Sequence, residues 1–165
     1  MKRRALVASM GFFGLHRRAT ANVSETILTI NGLVERGDHP TEQSYVFTKK
    51  AFFALPQSTI TTGTSWTPVS MFLGPTVVNV MREAGIAEGN LTFKALDNYS
   101  VPIPWSDIVR YGVILAHSKN GRLLSKRRWG PLWAIYPRDR FPDELVGPVA
   151  NSRFIWQITE IRVVP

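Results

Sequence analysis

The apolar stretches of this sequence are short and are closed off by asparagine, glycine or proline turns. Residues 91–96, 100–103, 112–117, 132–136 and 154–164 each read as a strand bounded in this way. Residues 26–33 alternate in polarity, and 57–62 are β-branched and extended. Helical signals are fewer. Residues 47–55 suit a short helix capped by Thr48 and stopped by Pro56. Gly74-Pro75 followed by Val77, Val78, Val80, Met81 and Ala84, then Gly85, gives the clearest helix, with proline in its first turn and glycine past its end. The expected fold is α+β, a single mainly-β domain with short helices. With 165 residues, 44% hydrophobic and 11% aromatic, the chain has apolar surface enough for a core.

The first 21 residues read as an address. Lys2, Arg3 and Arg4 precede an apolar run at 5–15, and Ala19-Thr20-Ala21 has the small-x-small form of a signal-peptidase site. The run is too short to span a hydrocarbon core of roughly 30 Å, so an export signal cleaved near Ala21 is expected rather than an anchor. Arg3-Arg4 leaves a twin-arginine route open beside the general one. Residues 22–165 show no repeat or low-complexity block and read as one domain in a periplasmic protein.

Charge must be read after that segment is set aside. The net charge of +8 includes five cations, Lys2, Arg3, Arg4, Arg17 and Arg18, in the first 21 residues, which hold no acid. Beyond them 15 cations face 12 acids, a net of +3. So mild a balance does not support nucleic acid as a partner, because phosphate tracking needs a dense basic stripe. There are no cysteines, which removes disulfides, thiolate metal sites and cysteine nucleophiles. His16, His39 and His117 are far apart and show no metal-ligand spacing, so no protein-held metal is expected.

Three segments join turn residues to polar or aromatic side chains: "TITTGTSWTP" at 59–68, "ALDNYSVPIP" at 95–104 and "RRWGPLWAIYP" at 127–137. Thr62, Thr64 and Trp66 surround Gly63, where backbone and hydroxyls can meet a ligand and a planar heterocycle can stack on the indole. The same run also suits a plain strand and turn with a core tryptophan. Asp97, beside Tyr99, can accept paired N–H donors from an aminopyrimidinone edge, or simply make a hairpin turn with Asn98. Lys126, Arg127 and Arg128 ahead of Trp129 can attract a phosphate or carboxylate, or form a solvated loop. Arg153 and Trp156 repeat the cation-aromatic pairing and fall on opposite faces if their strand is regular.

No nucleophile stands beside a base. Ser118 next to His117, and Asp97 with Asp107, are not distinguished from loop residues by any spacing, so a side-chain hydrolase is not expected.

Taken in order, "LPQSTITTGTSWT", Phe72-x-Gly74, "ALDNYSVPIP", "VILAHSKNGRLLS", "RRWGPLWAIYP" and "RFIWQITEIRV" resemble the molybdopterin-binding oxidoreductase domain of the sulfite oxidase family, in its small exported form. The resemblance runs from about Thr26 to Val163. It implies a pterin pocket lined by Thr62, Thr64, Trp66, Asp97, Tyr99, Arg128 and Trp129, with Arg127 and Arg153 near a phosphate or polar tail. Catalytic members carry a cysteine that ligates molybdenum. Here Thr62-x-Thr64-x-Trp66 stands in that loop, so the resemblance implies a pterin-binding protein without catalytic residues and without expected molybdenum. Arg153 stands where catalytic relatives often show phosphate-holding lysines, which leaves both free pterin and molybdopterin open as ligands.

Some small members of this kind are implicated in handing a pterin signal to a membrane-bound sensor that controls cyclic dinucleotide levels, and such a partner is the expectation here. The competing expectations are a molybdenum oxidoreductase whose metal is held by the pterin dithiolene alone, and a ligand-free interaction module.

Overall fold

The structure is a computed structural model that describes residues 25–36 and 39–164. The export signal, its cleavage point at Ala21 and His16 lie outside the described residues.

Two sheets hold nine of the eleven strands among the described residues. The first has β1 (Thr26–Arg36), β2 (His39–Thr48), β5 (Asn90–Ala95), β6 (Ser100–Ile103) and β11 (Ile158–Val164), in the order β2-β1-β11-β5-β6. Only β1 and β11 run parallel; the other three pairings are antiparallel. The second sheet has β3 (Gln57–Thr62), β4 (Ser70–Pro75), β8 (Ser118–Lys119) and β9 (Arg122–Leu123), in that order. Between them lies a ribbon of β7 (Ile114–Ala116) and β10 (Trp133–Ile135), every residue of which is buried. That double-sided burial explains its continuous apolar run, whereas β5 and β6 alternate because only one face meets the core. Four short helices, α1 (Lys49–Ala54), α2 (Val77–Glu83), α3 (Trp105–Tyr111) and α4 (Gly147–Ser152), complete the mainly-β α+β fold.

The expected helices form for the reasons read from their ends, with two corrections. Thr48 caps α1 by accepting from the Ala51 N–H at 3.2 Å, but Phe47 belongs to β2. Thr76 caps α2 by accepting from the Asn79 N–H at 3.2 Å, so Pro75 ends β4 and does not enter the helix. Gly85, at φ +78°, closes α2. Its N–H reaches the Arg82 carbonyl at 3.0 Å and that of Ile86 reaches Met81 at 2.9 Å, the doubled closure that a left-handed glycine permits.

The strand read over 154–164 begins only at Ile158. Gln157 has φ +55° and breaks the extended run. Arg153 instead ends α4, so Arg153 and Trp156 are not on the two faces of one strand. The sequence reading also passed over β2, β4, α3 and α4. Each of these helices has one buried residue, Ile108 or Ala150, and so shows no apolar stripe.

Candidate functional site

Residues 62–69 form a loop held from inside and from outside. Within it, the Thr64 hydroxyl accepts from the N–H groups of Trp66 (3.1 Å) and Thr67 (3.0 Å) and hydrogen-bonds the Thr67 hydroxyl at 2.9 Å. That is the local side-chain-to-backbone bonding through which threonine shapes turns. From outside, a tight turn at Arg138–Arg140 latches it. Asp139 accepts the Gly63 N–H at 3.0 Å, and the Asp139 N–H donates to Thr62 at 3.2 Å. Arg138 donates to Ser65 at 3.1 Å, to the Leu145 carbonyl at 2.9 Å and to Asn151. Thr62 is thereby buried, and the loop holds Trp66 outward with 39% of its surface exposed.

Asp97 and Tyr99 sit in the turn between β5 and β6. Asp97 Oδ1 accepts the Tyr99 N–H at 3.0 Å, and Asn98 takes φ +69°, a conformation asparagine tolerates. Oδ2 has no partner among the described residues. The residues are both a hairpin turn and a wall: Trp66, Asp97 and Tyr99 line one cleft of about 370 Å³ with Asn151, Trp156 and Gln157.

Four of the five tryptophans meet beside that cleft. Trp66 stands edge-on to Trp156 at 4.8 Å between ring centroids, and Trp156 stands edge-on to Trp129 at 5.1 Å. Trp129 stacks on Trp133 at 4.6 Å, and the buried Trp133 indole donates to the Phe154 carbonyl at 2.9 Å.

Arg128 and Trp129 face a second cleft, of about 450 Å³, with Lys119, Arg122 and Ser125. The Arg128 guanidinium lies 5.4 Å from the Trp129 ring centroid, within cation–π range. The Ser125 carbonyl accepts from the N–H groups of Arg128, Trp129 and Gly130, which folds the loop, while Lys126 pairs with Glu25 at 2.6 Å. Gln157 joins the two regions by donating from its backbone N–H to the Trp129 carbonyl at 3.2 Å and from its side chain to the Lys126 carbonyl at 2.7 Å.

The structure thus brings Trp66, Asp97 and Tyr99 together and leaves Arg128 and Trp129 on a second cleft, with Trp129 packed against the same Trp156. Thr62 and Thr64 shape the loop beneath Trp66, and Arg127 lines neither cleft. Arg153 is ion-paired with Asp107. His117 binds Gln57 at 3.0 Å, and Ser118 lies in β8. The sequence does not point to Trp156, Asn151, Arg138 and Asp139 as site residues. Trp156 carried a signal in its cation-aromatic motif; the others act through long-range contacts that leave no local pattern.

What fold and cleft define is a mainly-β, cleft-bearing α+β domain. The pattern of the family described as "Oxidoreductase molybdopterin binding domain" matches residues 25–139, and the chain belongs to that family. Among solved structures, the chain resembles the sulfane dehydrogenase SoxCD from Paracoccus pantotrophus, with a TM-score of 0.61 at 19% identity. The match covers 85% of this chain and 38% of that one, and shows a shared fold. A search of curated proteins gives no match.

The family's cofactor is a pterin, and the donor set of the cleft fits its ring: indoles for its faces and a free carboxylate oxygen for its N–H edge. The sequence contains no cysteine, and among the described residues no three His, Asp or Glu side chains gather as a ligand set.

Proposed function

We propose that this protein binds a pterin in the cleft of Trp66, Asp97 and Tyr99 without catalysing a reaction. It works in the periplasm and relays its ligand state to the periplasmic domain of a membrane-bound protein that controls cyclic dinucleotide levels. One observation carries the ligand assignment: Trp66 from one loop and Asp97 and Tyr99 from another turn converge on one cleft lined also by Trp156. Trp66 and Trp156 offer aromatic surface to the ring, and Asp97 Oδ2 accepts from its amino and N–H edge. Arg128 stands on the neighbouring loop, in the second cleft, for a polar tail. The absence of any cysteine supports a role without redox chemistry, since no thiolate is available to the metal.

Two observations favour other readings. Family membership and the likeness to a sulfane dehydrogenase favour a molybdenum oxidoreductase whose metal is held by the dithiolene alone. The tryptophan cluster, in which Trp156 of one cleft packs against Trp129 of the other, favours an interaction module that binds nothing small. One experiment separates the three. Mature protein purified from the periplasm is denatured, released pterins are read by fluorescence after chromatography, and molybdenum is assayed in the same sample. Pterin without stoichiometric molybdenum is the expected result. Both together favour the oxidoreductase; neither, with no binding of added pterins, leaves the module.

A further inference from the structure

Asn151 belongs to α4, is half-buried and lines the cleft of Trp66, Asp97 and Tyr99. The two ends of its amide differ in what holds them. Arg138 can only donate, and it donates to Asn151 Oδ1 and, at 3.1 Å, to the Ser65 hydroxyl. Ser65 in turn gives its own proton to Asn151 Oδ1 at 2.9 Å. The amide oxygen is therefore turned to Arg138 and Ser65, neither of which lines the cleft.

The other end is Nδ2, with two N–H donors and no partner among the described residues. It is open to solvent: the unpaired side-chain atoms closed off from solvent among those residues are His117 Nδ1 and the Tyr136 hydroxyl. A tie to the 62–69 loop does not by itself call for an amide. Opposite a guanidinium a carboxylate makes the stronger bond. What the amide adds is the free donor.

A pterin has a use for that donor. Along one edge a 2-amino-4-oxopteridine presents an amino donor, a ring N–H donor and a carbonyl acceptor, in that order. Asp97 Oδ2 can take the donors but offers nothing to the carbonyl. A 2,4-diaminopteridine presents donor, acceptor, donor along the same edge, so its 4-amino group meets an amide N–H donor against donor.

On the reading of this cleft as a pterin site, we propose that Asn151 is a specificity-determining residue. Its Nδ2 donates to the ligand carbonyl at C4 and selects 2-amino-4-oxopteridines over their 2,4-diamino counterparts. Arg138 and Ser65 are positioning residues that set which end of the amide is free for the ligand.

The test compares pterin with 2,4-diaminopteridine in fluorescence titrations of ligand-free mature protein at pH 7. The wild type should bind pterin at least about tenfold more tightly, since a site built to bond a ligand group rejects the analogue that lacks it. Asn151→Asp keeps an oxygen for Arg138 and Ser65 and sets a second acceptor where the donor stood. Its preference for pterin should shrink at least about tenfold, with the melting temperature held. In the wild type the side-chain N–H signals of Asn151 in NMR should shift saturably as pterin is added, which decides the matter if Asn151→Asp does not fold. A residue that only ties the loop would change both affinities alike. An unchanged ratio in Asn151→Asp, no preference in the wild type, or Asn151 signals unmoved by bound pterin overturns the proposal and leaves the pterin site standing. Binding of neither ring overturns both.

Discussion

Trp66 stands edge-on against Trp156, the ring centroids 4.8 Å apart and the planes at 76°. One ring comes from the loop before β4 and the other from the link ahead of β11, so the cleft exists only when both sheets are in place. Trp66 is held there by the Thr64 hydroxyl and by the latch of Arg138 and Asp139, not by burial of its own ring.

Trp66→Ala should therefore separate binding from stability. Pterin affinity should fall by about 1–3 kcal/mol, the range for loss of a stacked base from an aromatic side chain. The melting temperature should change little, because the indole is 39% exposed. Pterin titration by fluorescence and a thermal melt of the same sample check both; a collapsed melt would make Trp66 a core residue.

Asp97→Asn should keep the hairpin and lose the ligand. An asparagine oxygen can still accept the Tyr99 N–H, but the charged acceptor for a ring N–H edge is gone. The expected loss of pterin affinity is about 1.5–3 kcal/mol, the worth of a hydrogen bond to a charged group. Equal affinity for the variant and the wild type would remove Asp97 from the site.

Arg138→Met should weaken pterin binding although Arg138 does not line the cleft. The guanidinium joins Ser65, Asn151 and the Leu145 carbonyl, and its removal leaves the 62–69 loop tied by Asp139 alone from that turn. A stability loss of about 2 kcal/mol is expected, at the scale of a charged hydrogen bond in a partly exposed setting. Denaturant unfolding beside a binding titration measures the two effects.

Acid should cost stability in two steps. Burial, then the charge of Lys49, holds His117 below its ordinary 6.5, so the unfolded chain takes up a proton that the folded protein resists. Its contribution is full above 6.5 and is lost as the pH falls from there through the folded value. Glu160 is held below its ordinary 4.5 by hydrogen bonds from Arg162, Asn31 and Lys94, and its contribution is lost lower still. Melting temperatures from pH 8 to pH 3 should fall first near 6 and again below 4.5, and His117→Gln should flatten the first fall alone.

Gly74→Ala should not be tolerated. A Cβ at Gly74 would land on the carbonyl of Leu115, where β4 crosses the buried ribbon. Backbone cannot yield as a side-chain tip can, so a loss of about 3 kcal/mol or more is expected from overpacking. Soluble yield and thermal melting of the variant provide the measure.

Local chemistry was legible residue by residue. Thr48 before α1, the closure of α2 by Gly85, and the Asp97-Asn98 turn all depend on contacts within a few positions, which a linear reading captures. β2 was not legible, although it pairs with β1 along its whole length, because that pairing rather than its own pattern holds it extended.

At the site, the sequence alone determined the kinds of groups available: indoles, a turn carboxylate, a basic loop and no thiol. Only the tertiary structure decided which of them share a surface. It set Trp66, Asp97 and Tyr99 on one cleft, put Arg128 and Trp129 on a second, and neutralised Arg153 with Asp107. The reason is physical. Residue type sets what a group can bond to, while partners distant in sequence, which no local spacing encodes, decide whether its charge or hydroxyl is spent on the fold or left for a ligand.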